Sequence, residues 1–379
     1  MLIAMIENQL VNAAEFKAQR KLCKQLVCPG CRQTVIFKHG KSRIPHFSHK
    51  SNAICSGFSE NESQAHLQGK LTFQQQLKAM SKAAVLEHYL PEIEQRADVY
   101  LPSQKLILEY QCSPISFSEL SRRTTNYKSL GIEVVWILGD RHLNATKRLD
   151  GIAKFARFNT QLGFYMIFYS AKNRQFRLDF QIQEIAGKIT SHLRLFDTLA
   201  ELKRFIDHLP SADQSYSIRI SNDAILYQLN RIQRSIVLKN PTYLDMVTRC
   251  YQRGRVFVGC PLICHGKDGS RWPIFRRTAL CWRVWIVFQL FTGHNREVSN
   301  QELNQVFKQS VQLFGQQFAQ VDDYVRFFQM AFTGFIFSLR AEGYLRHTAA
   351  GVQIIKQPAW FADYDEKRHY IMTAKPEVC

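Results

Sequence analysis

The chain has 379 residues, room for two or three domains, and a formal net charge of +19 from 50 Lys and Arg against 31 Asp and Glu. That excess favours a polyanionic partner, nucleic acid first and an acidic membrane second, bound through the backbone without sequence choice. It argues against a membrane-spanning protein or a disulfide scaffold. Trp282 to Phe291 and Met330 to Leu339 are too short to cross a bilayer, and ten scattered cysteines without a secretory leader fit a reducing cytoplasm.

In chain order, the first feature is Cys28-Pro-Gly-Cys31, a knuckle spacing that lets two thiolates reach one tetrahedral Zn²⁺. A hairpin is predicted from Val35 to Lys38 with His39-Gly40, followed by His46, His49 and Cys55. Four zinc ligands are drawn from these five residues: Cys28, Cys31, His49, and either Cys55 or His46. A segment this short buries too little apolar surface to fold unaided, so the site is expected to be structural. The competing reading, a redox Cys-x-x-Cys, lacks a surrounding thioredoxin-like pattern. Residues 1–60 carry nine Lys and Arg against three Asp and Glu. Contact with phosphates and a purely structural cap are both open for this lobe.

The densest chemistry lies between Glu62 and Leu138. Glu62, His66 and Lys70 recur every four residues, which on a helix stacks them along one stripe. Ala97 to Leu101 and Leu106 to Tyr110 read as strands around a Pro102–Lys105 turn. That hairpin places Asp98 opposite Glu109 with both side chains on one face, and Gln111 joins them. Two facing carboxylates repel unless a cation or basic partner lies between them. Mg²⁺ or Mn²⁺ held by Asp98 and Glu109 meets that need. Gln111 would position a water, Lys70 would stabilise phosphate oxygens, and Glu62 or His66 would assist as base. Ser116 to Glu119 has the form of a capping box, opening a helix through Arg122, Arg123 and Tyr127 to Gly131, and Glu133 to Leu138 reads as a buried strand.

The order helix, hairpin, helix, strand is that of the PD-(D/E)xK restriction-endonuclease core, and the fold class expected is α/β with that core. More closely, the Asp98…Glu109-Tyr-Gln111 pattern, the helix with His66 and Lys70, the Arg123…Tyr127 helix and the Cys28–Cys31 and His46–His49 segment resemble the CoiA competence-protein family over roughly residues 20 to 140. The resemblance implies a zinc-finger-like N-terminal lobe, a nuclease-like domain, and a role in natural transformation on incoming single-stranded DNA with RecA. Gln111 stands where the superfamily commonly has Lys, and an amide supplies no charge. Two classes of function follow: a metal-dependent deoxyribonuclease, or a catalytically weak or inactive DNA-binding accessory factor that promotes RecA loading.

Further on, Phe164 to Tyr169 and Arg174 to Phe180 read as a hairpin and Ile182 to Leu209 as a run of helices. Pro210 to Tyr216 marks a possible boundary. The domains expected are 1–58, 59–150 and a mostly helical 151–379. Cys260 to His265 reads as a loop with buried thiols, and 297–355 has a helix pair and hairpin reminiscent of a winged helix.

Overall fold

Two short strands open the chain, β1 (Ile3–Ile6) and β2 (Gln9–Asn12), turned by Glu7 and Asn8, both at positive φ. A second hairpin, β3 (Val35–Gly40) with β4 (Arg43–His49), sets Phe37 and Phe47 against Phe16 in a small aromatic core. In the computed structural model the described residues are 1–16, 25–40, 43–50, 55, 63–209, 220–266, 271–293 and 296–373.

Helix α1 (Gln64–Ala79) starts where the Ser63 hydroxyl accepts the His66 N–H. Three antiparallel strands follow, β5 (Val85–Leu90), β6 (Gln95–Leu101) and β7 (Leu106–Gln111). Each hairpin turn is a short 3-10 segment begun by Pro and ended by a left-handed residue, Glu94 in one and Lys105 in the other. Helix α2 (Phe117–Ser129), capped by Ser116, crosses to β8 (Glu133–Leu138), which lies parallel to β7. After α3 (Leu149–Phe155) come β9 (Arg157–Asn159), β10 (Gly163–Ser170), β11 (Gln175–Ile185), β12 (Lys188–Phe196) and α4 (Leu199–Asp207). The central mixed sheet has the order β12-β11-β10-β8-β7-β6-β5, with β9 paired to β10.

Alternation along β7 decides which helix each side chain meets. Tyr110 packs on Phe73 of α1, while Glu109 reaches α2, so the two helices cover opposite faces. The α1 face carries the main core, with Leu67, Phe73, Leu77, Val99, Leu101, Leu108 and Ile137.

Two expectations need correction. The stretch from Ile182 to Leu209 is not helical throughout: β11 and β12 fill it to Phe196, and only α4 is helix. Ala186 and Gly187 both have positive φ, the conformation that closes a two-residue hairpin. A boundary at 150 also cuts through the sheet, which runs on to Phe196.

Chain contacts divide the molecule into residues 1–146, 154–180 and 192–211 in one unit and 147–153, 181–191 and 212–379 in the other. The second unit contains α5 (Asn222–Val237), α6 (Pro241–Tyr251), α7 (Ala279–Leu290), β13 (Glu297–Ser299), α8 (Asn300–Phe314), α9 (Val325–Ala341), β14 (Leu345–His347), β15 (Gly351–Ile354) and α10 (Tyr364–Thr373). Helix α7 is apolar and buried almost all round, as the centre of a unit must be. The sheet order β13-β15-β14 beside α8 and α9 has winged-helix connectivity, but residues 315–324 between the helices exceed a tight helix-turn-helix link. Among the described residues no helix is long and apolar enough to cross a membrane.

Gly69 is where α1 touches the sheet most closely: a Cβ there would lie 2.2 Å from the Tyr110 ring. Gly69→Ala is expected to destabilise by about 1–3 kcal/mol through overpacking, read from urea unfolding. An unchanged midpoint would contradict this packing.

Candidate functional site

In the N-terminal lobe, Cys28, Cys31, His49 and Cys55 bring one ligand atom each within 4.8 Å of the others. The Cys31 Sγ is 3.3 Å from His49 Nε2. Three sulfurs and an imidazole form a soft donor set that could hold a metal ion and suits tetrahedral Zn²⁺. His46 stands apart, its Nδ1 2.8 Å from the Ile44 carbonyl. Burial pushes the Cys28 thiol up, a penalty that a bound cation would reverse. Tyr89 of β5 backs the knuckle, lying 3.4 Å from where a Gly30 Cβ would stand.

The second cluster is a row of three acids across the antiparallel strands. The β5/β6 register pairs Leu86 with Val99 and His88 with Ala97, so Glu87 falls opposite Asp98. The β6/β7 pairing ends at Val99–Leu108, and its continuation sets Asp98 opposite Glu109. All three are buried, with Glu109 only 1% exposed. Each carboxylate has its own partners.

Glu87, at positive φ, accepts from the backbone N–H of Leu2 (2.8 Å) and Ile3 (3.1 Å), from Lys70 Nζ (2.5 Å) and from Arg96 Nη1 (3.2 Å). It therefore ties β1 of the N-terminal lobe to the sheet. Asp98 Oδ2 lies 3.0 Å from His66 Nε2 and accepts the Tyr110 N–H at 2.9 Å, while Oδ1 is 3.8 Å from Lys70 Nζ. Burial opposes the charge on Asp98, but His66 and Lys70 outweigh it and hold the carboxyl well below its usual range. Glu109 turns to α2: Oε2 accepts from Arg123 Nη2 at 2.7 Å and Oε1 from the Tyr127 hydroxyl. Burial pushes the Glu109 carboxyl up to about 7 against the pull of Arg123, with Asp98 adding to the rise. Burial likewise works against the Arg123 charge, but Glu109 overrides it and raises the guanidinium further.

Several expectations change on this geometry. Asp98 and Glu109 are opposite in register and within electrostatic reach, with Asp98 held by His66 and Lys70 of α1 and Glu109 by Arg123 and Tyr127 of α2. Lys70 is fully buried and already committed to Glu87, so it offers no charge to a phosphate. Gln111 donates through Nε2 to the Ser113 carbonyl at 2.8 Å. Glu62 lies outside the described residues. Arg123, Tyr127, Glu87 and Arg96 were not singled out for the site by sequence. The i,i+4 spacing of Arg123 and Tyr127 beside buried Leu120 and Thr124 was the available signal.

The nuclease-like domain that the resemblance implies would call for a divalent metal, and such an ion needs carboxylate oxygens able to approach within about 2.0–2.1 Å for Mg²⁺. Here each Glu109 oxygen already accepts one hydrogen bond, from Arg123 and from Tyr127, and Asp98 Oδ2 meets a backbone N–H and an imidazole with an ammonium 3.8 Å from Oδ1. The charges are already balanced. As arranged, Asp98 and Glu109 fit a resident Mg²⁺ or Mn²⁺ only if these partners give way.

Comparison with known proteins places these two clusters in matched regions. Residues 9–58 match the family described as Competence protein CoiA, N-terminal domain, and residues 62–203 match Competence protein CoiA, nuclease-like domain. The chain is similar to Competence protein CoiA of Bacillus subtilis (strain 168), with 36% identity over 125 residues. Those residues are 32% of this chain and 34% of the relative, so the likeness spans about a third of that protein's length. No solved structure matches the chain.

Metal content of the purified protein discriminates among the ligands. Cys55→Ala should lose the ion and lower the unfolding midpoint, whereas His46→Ala should retain about one equivalent. The opposite pattern would exchange their roles.

Proposed function

This chain belongs to the CoiA competence-protein family, and we propose that it is a DNA-associating accessory factor of natural transformation rather than a metal-dependent nuclease. The observation that carries this reading is the sealing of Glu109 by Arg123 and Tyr127, which leaves the acid pair neutralised from within. A formal charge of +19 supports a nucleic-acid partner. Under this reading the nuclease-like domain grips single-stranded DNA and the zinc-holding lobe supports it. The step served is recombination of the incoming strand, with RecA as the partner implied by the family resemblance. The acid cluster has a structural role, fixing α1 and α2 to the sheet.

A deoxyribonuclease using Mg²⁺ or Mn²⁺ at Asp98 and Glu109 is the second reading. It is favoured by one observation, the 3.0 Å approach of His66 to Asp98 at the interrupted strand pairing. That contact supplies an imidazole beside a low-lying carboxylate, a pair able to move a proton.

Labelled single-stranded DNA separates the two. The full chain should bind it in EDTA, with log K falling against log salt by roughly 0.7 per phosphate contacted. Adding Mn²⁺ should cause no cleavage. Degradation that requires Mn²⁺ and disappears in Asp98→Ala would establish the nuclease and overturn the accessory reading.

A further inference from the structure

We propose that Arg123 is the resident cation of the acid pair: its guanidinium fills the place beside Glu109 that a divalent ion would need, and removing it turns the pair into a metal-ion site. This rests on the reading that the pair holds no ion in the native chain.

Two contacts fix the guanidinium, and two more brace its partners. Its Nη2 meets Glu109 Oε2 at 2.7 Å, and its plane lies over the Trp136 ring, 5.1 Å from the ring centre. Trp136 is paired in register with Glu109 on β8, and its indole N–H donates to Thr124 Oγ1 at 3.0 Å, so the stacking surface is itself braced by α2. Tyr127, one turn beyond Arg123, closes the other Glu109 oxygen. The neighbouring Arg122 is exposed and pairs with Glu119 of the same helix at 2.7 Å. Of two adjacent arginines, one serves the surface and one the interior.

The guanidinium is also replaceable. Its Nε–H is buried and meets no acceptor, so Arg123 is held by charge and stacking without its full complement of hydrogen bonds. Without it, Glu109 would keep only the Tyr127 hydroxyl, with the Asp98 carboxylate within electrostatic reach. Two buried carboxylates opposite in register and within electrostatic reach favour a hard divalent cation.

The test uses the full chain with its lobe metal loaded, and Mn²⁺ alone as the probe, followed by electron paramagnetic resonance. Wild type should show no Mn²⁺ site that Asp98→Asn abolishes. Arg123→Gln should bind about one Mn²⁺ at least tenfold more tightly than wild type, and Asp98→Asn in that background should remove it. Thermal unfolding gives a second readout: Mn²⁺ should raise the midpoint of Arg123→Gln and leave wild type where it was. The Arg123→Gln, Glu109→Gln double variant should fold without Mn²⁺ and bind none. The proposal is overturned if wild type takes up a Mn²⁺ that Asp98→Asn removes, or if Arg123→Gln binds no better than wild type. It is overturned equally if Arg123→Gln fails to fold even with Mn²⁺ while the double variant folds. Because DNA is absent, failure of Arg123→Gln to gain a Mn²⁺ site leaves the DNA-association reading standing, a wild-type Mn²⁺ site counts against both, and loss of DNA binding leaves this proposal standing.

Discussion

A carboxylate taken out of water costs several kcal/mol unless a charge and hydrogen bonds meet it. Glu87, Asp98 and Glu109 impose that condition three times in one cross-strand row. Much of the surrounding architecture answers it. Helix α1 delivers Lys70 and His66, helix α2 delivers Arg123 and Tyr127, and β6 itself delivers Arg96. Helix packing in this unit is thus directed by charge as well as by the apolar core. Breaking one buried pair would leave the surviving partner exposed to a penalty of about 3–5 kcal/mol.

The same row reaches the N-terminal lobe. Glu87 accepts the Leu2 and Ile3 N–H groups while binding Lys70, and Lys70 also faces Asp98. The lobe's small aromatic core around Phe16, Phe37 and Phe47 is too modest to hold its shape alone. Among the described residues, the Glu87 clamp and Tyr89 behind the knuckle support it from the sheet, and the Cys28–Cys31–His49–Cys55 donor set could add a metal ion. A family that carries both an N-terminal and a nuclease-like domain therefore has, in this chain, a physical reason to keep them together.

The parts of this structure that sequence disclosed are those with local signatures. The β6/β7 hairpin followed from alternation around Pro102, α2 from its Ser116 cap, and β8 from a run of buried apolar residues. The knuckle was legible because ligand spacing is a local property, but the choice of Cys55 over His46 depended on where the chain folds back. Long-range charge pairing was not legible. Lys70 sits at helical spacing from His66, which suggests a shared task, yet Glu87 claims it from a strand whose alternation is broken by a left-handed residue. Arg122 and Arg123 stand side by side in the sequence. Nothing local says that Arg123 turns inward under Trp136 to meet Glu109. The Ile182–Leu209 stretch failed for a related reason: a two-residue Ala186-Gly187 turn is a small signal inside a long amphipathic run.

The claim on which the account turns is that the Glu109 carboxylate is already occupied by an arginine. A crystal structure of the full chain soaked in Mn²⁺, with anomalous scattering recorded at the manganese edge, tests it most directly. The account predicts no anomalous peak between Asp98 and Glu109 and an intact Arg123–Glu109 contact. A manganese peak bridging the two carboxylates, with Arg123 swung aside, would contradict it.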